Sequence, residues 1–272
     1  MDNTFAFIGA GNMGGAVVEA VCRGVNPRHV IIYDRDTAKT AALSEKTGCT
    51  VAEDAKAAAA GGHFVFMCVK PDVLPAALQE ISPALKAAAD RHVVVSIAAG
   101  VTKAAIKALL AEAGLALPLV RLLPNTPVAV GRGLIIAAPD ESLPETELAA
   151  LLGALAPGGA AELLDEACFD AATPVFSCSP AFTYMYIEAL ADGGVLAGLP
   201  RDKAQRFAAQ AVLGAAAMVL ETGRHPGELK DAVCSPGGST IAGVEALERG
   251  AFRADVAAAV AEAYEKTARL GK

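Results

Sequence analysis

The feature that most constrains this chain is a glycine-rich turn near its start, placed between an apolar run and a helical stretch. Phe5 to Ile8 has the composition of a buried strand, and glycines follow at positions 9, 11 and 14. The first glycine permits a tight turn, the second lets a pyrophosphate approach the main chain, and the third lets the helix pack closely on the strand. The spacing therefore predicts a strand, a turn and a helix that together bind a dinucleotide.

A second apolar run, Val30 to Tyr33, ends at Asp34, at the distance from the glycine turn where an acid that meets the adenosine ribose is expected. An acid there accepts hydrogen bonds from ribose hydroxyls and repels a 2′-phosphate, whereas Arg35 beside it can pair with that phosphate. The two neighbours favour different cofactors, and they leave both NAD and NADP open. We expect NADP to be preferred, with NAD possible, because Arg35 can swing to the phosphate while Asp34 turns outward.

Apolar runs and helical stretches alternate over the first 163 residues. Uninterrupted runs such as Phe64 to Val69 are typical of strands covered on both faces, as in a parallel doubly wound sheet. The predicted strands cover residues 5–8, 30–33, 49–51, 64–69, 92–97, 119–122 and 134–138. This pattern predicts the α/β fold class, with a Rossmann-type dinucleotide-binding domain over residues 1–163 and its ligand at the carboxyl ends of the strands. The residues at those ends include Lys70-Pro71, Ala98-Ala99-Gly100 and Pro124-Asn125-Thr126-Pro127.

The chain from about Leu164 onward is rich in alanine and patterned for helices. The predicted helices cover residues 180–198, 200–221, 226–233, 240–249 and 252 to the end. A stretch with as few polar residues as Gln205 to Met218 needs cover on nearly every side, which a small domain rarely provides. We therefore predict an all-helical C-terminal domain over residues 164–272 that takes part in a subunit interface, with a compact monomeric bundle as the alternative.

Two of these helices are joined by the turn Ser235-Pro236-Gly237-Gly238. The first amides of the following helix lack intrahelical partners and carry the positive end of its dipole, and the glycines keep side chains away from a ligand. Such a turn suits a small carboxylate, although an ordinary capped loop between packed helices would have the same composition. Ile241, Val244 and Leu247 share one face of that helix, and Gly250 is predicted to close it in a left-handed cap.

Composition argues against several other classes of protein. Nucleic acid and anionic membranes are disfavoured as partners by the net charge of -7, because either would require a basic surface. The longest smooth apolar run, Ala208 to Leu220, is shorter than the roughly 20 residues that span a bilayer, and the first residues lack the basic segment of a secretion signal. Six cysteines without a Cys-x-x-Cys pair and four scattered histidines predict neither a disulfide framework nor a metal site. We expect a soluble cytoplasmic protein.

Several motifs, in both predicted domains, resemble those of the pyrroline-5-carboxylate reductases. The most specific is Leu229 to Thr240, which resembles the family pattern Leu-Lys-Asp-x-Val-x-Ser-Pro-Gly-Gly-x-Thr. Other motifs similar to those of the family lie, in family order, at residues 69–71, 98–102, 125–127, 188–195 and 198–201. The chain departs from the family pattern at Ser177 and Ser179, where glycines are usual, and at Asp54-Ala55, where an asparagine is often found.

The resemblance implies reduction of the cyclic imine 1-pyrroline-5-carboxylate to L-proline by NADPH or NADH, the last step of proline biosynthesis, in a homodimer or larger assembly. It implies that Thr240 is the catalytic residue, with its hydroxyl directed at the ring nitrogen. The substrate carboxylate would be bound by Ser235, Gly238, Ser239 and Thr240. The cofactor would be lined by Ile8, Gly9, Ala10, Gly11, Asn12, Met13, Asp34, Arg35, Val69, Lys70, Pro71, Ile97, Ala98 and Ala99. Glu166 matches a family glutamate near the cofactor, and a charge in the link between the domains explains it equally well.

Two other functions share part of this pattern. A β-hydroxyacid dehydrogenase would have the glycine turn and a helical second domain, but also a catalytic lysine within a helix of that domain. Lys203 and Lys230 are the lysines between Val120 and Lys266, and neither lies in that family's pattern. A non-catalytic nucleotide sensor would keep the glycine turn but would leave the turn from Ser235 to Thr240 without a role.

Overall fold

The computed structural model of the chain describes residues 3–87 and 92–270, which form two compact units. The first unit contains the chain up to Ser177 and again from Tyr264 onward, and the second contains Cys178–Ala263. Residues 164–177 therefore belong to the unit that holds the sheet, although the sequence pattern assigned them to the helical domain. The division into domains 1–163 and 164–272 stays a prediction.

The first unit is built on a mixed, mostly parallel sheet. Its strands are β1 (Phe5–Ile8), β2 (Val30–Tyr33), β3 (Thr50–Val51), β4 (Phe64–Met67), β5 (Val93–Ser96), β6 (Leu119–Pro124), β7 (Gly133–Pro139) and β8 (Gly159–Leu163). Their order across the sheet is β3-β2-β1-β4-β5-β6-β7-β8. The pairs from β3 to β6 are parallel, β7 is antiparallel to β6, and β8 is parallel to β7. The predicted Rossmann-type α/β fold is confirmed.

The central strands are buried on both faces, as their uninterrupted apolar sequences predict. Every residue of β1, β4, β5 and β6 is buried. Because successive side chains of a strand point to opposite faces, Phe7 packs in one core cluster and Ala6 and Ile8 in the other. On the first face the ring of Phe7 stacks on Phe66 of the neighbouring strand, with 4.3 Å between ring centroids.

Two strand predictions needed correction. The run predicted as a strand over residues 64–69 ends as a strand at Met67, and Cys68 and Val69 lead into the next connection. The strand β8 was missed, because Gly-Ala-Ala-Glu-Leu lacks the β-branched and aromatic residues that mark a strand. It is ordered by pairing with β7 at the edge of the sheet.

The helices of the first unit are α1 (Asn12–Gly24), α2 (Thr37–Thr47), α3 (Ala55–Gly61), α4 (Leu74–Ala87), α5 (Lys103–Glu112), α6 (Glu145–Leu155) and the short α7 (Phe169–Ala172). The helix α1 follows the glycine turn, and its Val17, Val18 and Val21 pack in the same core as Phe7. The departure from the family pattern at Asp54 has a structural role, because its carboxylate caps α3 by accepting a hydrogen bond from the Ala57 amide at 2.7 Å.

The second unit is helical, as predicted. It contains α8 (Ser179–Leu196), α9 (Arg201–Thr222), α10 (Pro226–Ala232), α11 (Ser239–Arg249) and the first part of α12 (Phe252–Leu270). A π-helical segment, Thr173–Cys178, immediately precedes α8 and contains one of the two departures from the family pattern, Ser177. The prediction that α12 reaches the end of the chain concerns residues 271–272, which lie outside the described residues.

The predicted left-handed cap at Gly250 is wrong. Gly250 has φ -80°, an ordinary right-handed value, and the left-handed residue is the next one, Ala251, with φ 59°. A glycine after a helix is therefore no guarantee of a left-handed cap, because the short link to α12 fixes the backbone here. Among the described residues, no helix is long and apolar enough to cross a membrane.

Candidate functional site

The glycine turn after β1 has the geometry that its spacing predicts. Gly9 has φ +107°, and a Cβ there would lie 2.6 Å from the carbonyl oxygen of Cys68. A Cβ at Gly14 would lie 2.7 Å from the carbonyl oxygen of Gly9, so close helix packing requires this glycine too. A Cβ at Gly11 would meet nothing within 4 Å. The first and third glycines are thus fixed by packing, while the second faces open space that a phosphate group can approach.

A cleft of about 270 Å³ opens at the carboxyl ends of β1, β2 and β4. Seven of the predicted cofactor residues line it: Ile8, Gly9, Gly11, Asp34, Arg35, Val69 and Lys70. The structure adds six lining residues that sequence reasoning missed: Tyr33, Ala55, Cys68, Val73, Ala77 and Glu80. Tyr33 and Cys68 each adjoin a predicted residue, and Ala55 lies where the family often has an asparagine. The other three come from α4 and the turn before it, which carried no signal. Burial raises the pKa of the Cys68 thiol, so it lines the cleft as a neutral group.

The other predicted cofactor residues lie outside this cleft. Ala10 and Asn12 line a neighbouring groove between α1 and α2, and Met13 is half-buried in the first turn of α1. Ile97 packs against the core on one face of the sheet, while Ala98 is buried in the core of the other face. Pro71 and Ala99 are exposed. Their contact with a cofactor stays a prediction.

Asp34 does not turn outward, and that expectation was wrong. Its Oδ2 accepts a hydrogen bond from the Ala10 amide at 2.7 Å, and its Oδ1 accepts one from the Asp36 amide at 2.9 Å. Two main-chain donors therefore hold the carboxylate between the glycine turn and the turn after β2. The side chain of Arg35 is exposed at the rim of the cleft, where a negatively charged group can reach it.

Two further residues from the sequence analysis have structural partners. Asn125 is buried, donates from Nδ2 to the Phe176 carbonyl at 2.9 Å, and accepts at Oδ1 from the Leu134 amide at 2.9 Å. It thereby ties the π-helical segment to the sheet. Glu166 does not line the cleft, and its carboxylate accepts a hydrogen bond from the Lys103 amide at 2.7 Å, at the start of α5.

In the second unit the four predicted substrate residues lie in the turn before α11 and in the first two positions of that helix. Gly237 has φ +67°, and the Gly238 amide donates to the Ser235 carbonyl at 3.0 Å, which closes the turn. The helix α11 then begins at Ser239, with Gly238 as a cap that has no side chain to occupy the first amides. Ser235, Ser239 and Thr240 are exposed, so their hydroxyl groups are accessible to a ligand. Within residues 3–87 and 92–270 no group of three His, Cys, Asp or Glu side chains is placed to hold a metal ion.

Two family models match the chain. One, described as pyrroline-5-carboxylate reductase dimerisation, matches residues 166–270. The other, described as NADP oxidoreductase coenzyme F420-dependent, matches residues 4–100. The first match contains the turn before α11, and the second contains the glycine turn and the cleft.

Individual relatives match the chain over nearly its whole length. The pyrroline-5-carboxylate reductase of Escherichia coli (strain K12) is 40% identical over 274 residues, and the match covers 100% of both chains. Pyrroline-5-carboxylate reductase 3 of Danio rerio is 37% identical, over 97% of this chain and 90% of its own. The crystal structure of Plasmodium falciparum pyrroline carboxylate reductase with NADP bound has a TM-score of 0.86 at 26% identity, covering 100% of this chain and 99% of that one. A pyrroline-5-carboxylate reductase structure from Coxiella burnetii has a TM-score of 0.88 at 28% identity, covering 99% of each.

Proposed function

The chain belongs to the pyrroline-5-carboxylate reductase family, and from this premise we propose that it reduces 1-pyrroline-5-carboxylate to L-proline with NADPH, the last step of proline biosynthesis. NADH is the alternative hydride donor. The observation that carries the proposal is the full-length match to reductases of this name, which includes both the glycine turn and the turn from Ser235 to Thr240.

The residues of the first unit fit a nicotinamide dinucleotide. The turn at Gly11 leaves space for the pyrophosphate next to the first amides of α1, and the cleft runs from there to Arg35 and Lys70. When bound, the cofactor supplies the hydride that reduces the imine carbon. The role of the protein is then to hold the two reactants in position, a contribution that effective molarities put at about 7 to 11 kcal/mol.

We assign the substrate to the turn before α11. The amides at Ser239 and Thr240, at the positive end of the helix dipole, suit the carboxylate of the substrate, and Ser235 adds a hydroxyl donor. The Thr240 hydroxyl is directed at the ring nitrogen, which it orients and polarises. A threonine hydroxyl is too weak an acid to release its proton alone at neutral pH, so water completes the transfer to nitrogen.

We further propose a homodimer joined through the second unit. The buried hydrophobic residues described in this unit are three alanines, Ala191, Ala204 and Ala208. Large apolar side chains are exposed instead, among them Phe207, Leu213, Met218 and Leu220 of α9. An exposed apolar surface of this kind marks an interaction site in a stable protein. The family model for dimerisation, which spans this unit, supports a second copy of the chain as the partner.

Assay of the purified protein tests the function directly. We expect oxidation of NADPH at 340 nm to depend on added 1-pyrroline-5-carboxylate, with L-proline formed in equal amount. Oxidation of a β-hydroxy acid with NADP would favour the dehydrogenase alternative, and cofactor binding without turnover of either substrate would favour a nucleotide sensor. The cytoplasmic location expected from the sequence stays a prediction.

A further inference from the structure

The carboxylate of Asp34 links the two turns that frame the cleft. Its Oδ2 accepts from the amide of Ala10, in the turn after β1, and its Oδ1 accepts from the amide of Asp36, in the turn after β2. The distances of 2.7 and 2.9 Å are those of well-formed charge-assisted hydrogen bonds. One side chain therefore sets the position of the glycine turn relative to the adenosine end of the cleft.

The hydrogen bond from Ala10 to Asp34 lies just beyond the point where the main-chain hydrogen bonds between β1 and β2 end. Ile8 and Tyr33 are partners in the parallel ladder, and the Gly9 amide still donates to the Tyr33 carbonyl at 2.8 Å. One residue further on, the Ala10 amide has Asp34 as its acceptor. Ala10 is only 7% exposed, so loss of this acceptor would leave a buried amide unpaired and displace the turn.

A residue that discriminates between the two nicotinamide cofactors must present its charge to the 2′ position. In Asp34 each oxygen already accepts one main-chain amide, and these bonds hold the carboxylate toward the turns. Arg35 is exposed and lines the same cleft, so it offsets the negative charge of Asp34 where the ribose must lie. Nearby, Lys39 Nζ lies 3.3 Å from Asp36 Oδ2, so this ion pair adds no net charge to the adenosine end of the cleft.

We propose that Asp34 is a positioning residue that fixes the glycine turn for NADPH and NADH alike, and that it does not select against the 2′-phosphate. This inference rests on the proposed function, because it assumes that the cleft holds a nicotinamide dinucleotide. The usual role of an acid at the end of the second strand is to select for NAD, so the two roles predict opposite results for the same variant.

The variant Asp34→Asn distinguishes the positioning role from the selective one. It keeps the shape of the side chain but replaces one acceptor oxygen by an NH2 donor that faces a main-chain amide. Binding of NADPH and of NADH is followed by nicotinamide fluorescence without substrate, so the result does not depend on the identity of the substrate. We expect both dissociation constants to rise by about tenfold or more and by similar factors. With 1-pyrroline-5-carboxylate, KM for both cofactors should rise while kcat changes little.

Asp36→Ser is the matched control, because it removes the same charge two residues away while serine can still cap α2. We expect it to leave both dissociation constants nearly unchanged. Tighter NADPH binding in Asp34→Asn, or a loss confined to NADH, would overturn the proposal. Equal weakening by Asp36→Ser would overturn it too, since the loss would then not depend on the hydrogen bond between Ala10 and Asp34.

Hydrogen exchange of the Ala10 amide gives a second readout that needs no activity. In the cofactor-free wild-type protein the amide should exchange slowly, and in Asp34→Asn it should exchange much faster while the amides of β4 keep their protection. If Asp34→Asn does not fold, the exchange rate of the Ala10 amide in the wild-type protein tests the positioning role by itself. Exchange of the wild-type Ala10 amide at the rate of an exposed loop amide would overturn the proposal.

Discussion

Arg121 donates a hydrogen bond from Nη1 to Oε1 of Glu166 at 2.9 Å, across the link that follows β8. The Arg121 side chain is 5% exposed and lies over the ring of Phe169, 4.8 Å from its centroid. The same Glu166 oxygen also accepts the Lys103 amide. Glu166 therefore neutralises a buried cation and caps α5, so its contacts are structural and lie outside the cofactor cleft.

Glu166→Ala should accordingly act on stability and leave KM for NADPH unchanged. The variant leaves the Arg121 charge buried without its carboxylate partner. We expect the free energy of unfolding to fall by about 2 to 3 kcal/mol. This is at or below the low end for a broken buried pair, because Glu166 is itself 20% exposed. Urea unfolding measures the loss. Glu162→Ala, at an exposed glutamate of β8, is the control and should change stability by less than about 0.5 kcal/mol. Unchanged stability with a raised KM would instead make Glu166 a cofactor residue.

Thr240→Ala should impair turnover strongly and leave NADPH affinity nearly intact. Loss of a hydrogen bond to a charged group costs about 1.5 to 3 kcal/mol, which corresponds to roughly 10- to 150-fold in rate if it is felt in the transition state. Thr240→Ser keeps the hydroxyl and should retain most activity, whereas Thr240→Val keeps the shape and should not. Single-turnover reduction of 1-pyrroline-5-carboxylate provides the measurement. Near-normal hydride transfer in the valine variant would contradict the catalytic role proposed for the Thr240 hydroxyl.

Arg35→Ala should raise KM for NADPH far more than KM for NADH. The guanidinium is exposed at the rim of the cleft and can pair with the 2′-phosphate, so its loss should cost NADPH about tenfold or more. Arg35→Lys keeps the charge without the paired donors and should lie between the wild type and the alanine variant. Steady-state kinetics with each cofactor measure the change. Equal effects on the two cofactors would contradict the assignment.

Leu213→Glu should shift the protein from dimer to monomer. Leu213 is 53% exposed on α9, and a charge placed on a surface that becomes buried in the dimer costs more than the apolar contact that it replaces. Light scattering at assay concentration measures the shift. Leu213→Met preserves volume and polarity and should remain dimeric. A fully active wild-type monomer would contradict the proposed dimer.

The free energy of unfolding should decrease at low pH, partly because the Asp140 carboxylate becomes protonated. Burial alone would raise the pKa of this carboxyl, but hydrogen bonds from Lys107 and Ser142 outweigh it and hold the pKa below its usual value. A lowered pKa in the folded state means that the contribution to stability is complete above about pH 4 and is lost as the pH falls through the folded pKa. Asp140→Asn should therefore destabilise the protein by about 1 to 2 kcal/mol at pH 7, and the difference should shrink toward pH 3. A pH-independent difference in urea unfolding would contradict this.

Much of the fold was predictable from local patterns. Runs such as Phe64 to Met67 specify buried strands because each residue must be apolar when both faces of a sheet are covered. The helix starts near Arg201 and Pro226 were marked by proline, and the turn before α11 by its two glycines. Signals of this kind depend only on residues close together in the chain, so they can be recognised without the tertiary structure.

The strand β8 and the conformation of Gly250 could not be predicted in the same way. The sequence Gly-Ala-Ala-Glu-Leu becomes a strand because β7 offers it an edge, and pairing between strands is a property of their arrangement. Gly250 takes a right-handed conformation, and Ala251 the left-handed one, because the following helix dictates how the link is closed.

The sequence by itself determined the Rossmann-type sheet, the helical second half and the two glycine turns, because each depends on spacing and residue type within a short segment. Only the tertiary structure decided the partners of individual charges. Asp34 meets the Ala10 amide and Glu166 meets Arg121, because residues far apart in the chain become neighbours only when β1 and β2 pair and when the link after β8 packs on β6. The strength of such contacts depends on burial and distance, which no local pattern encodes.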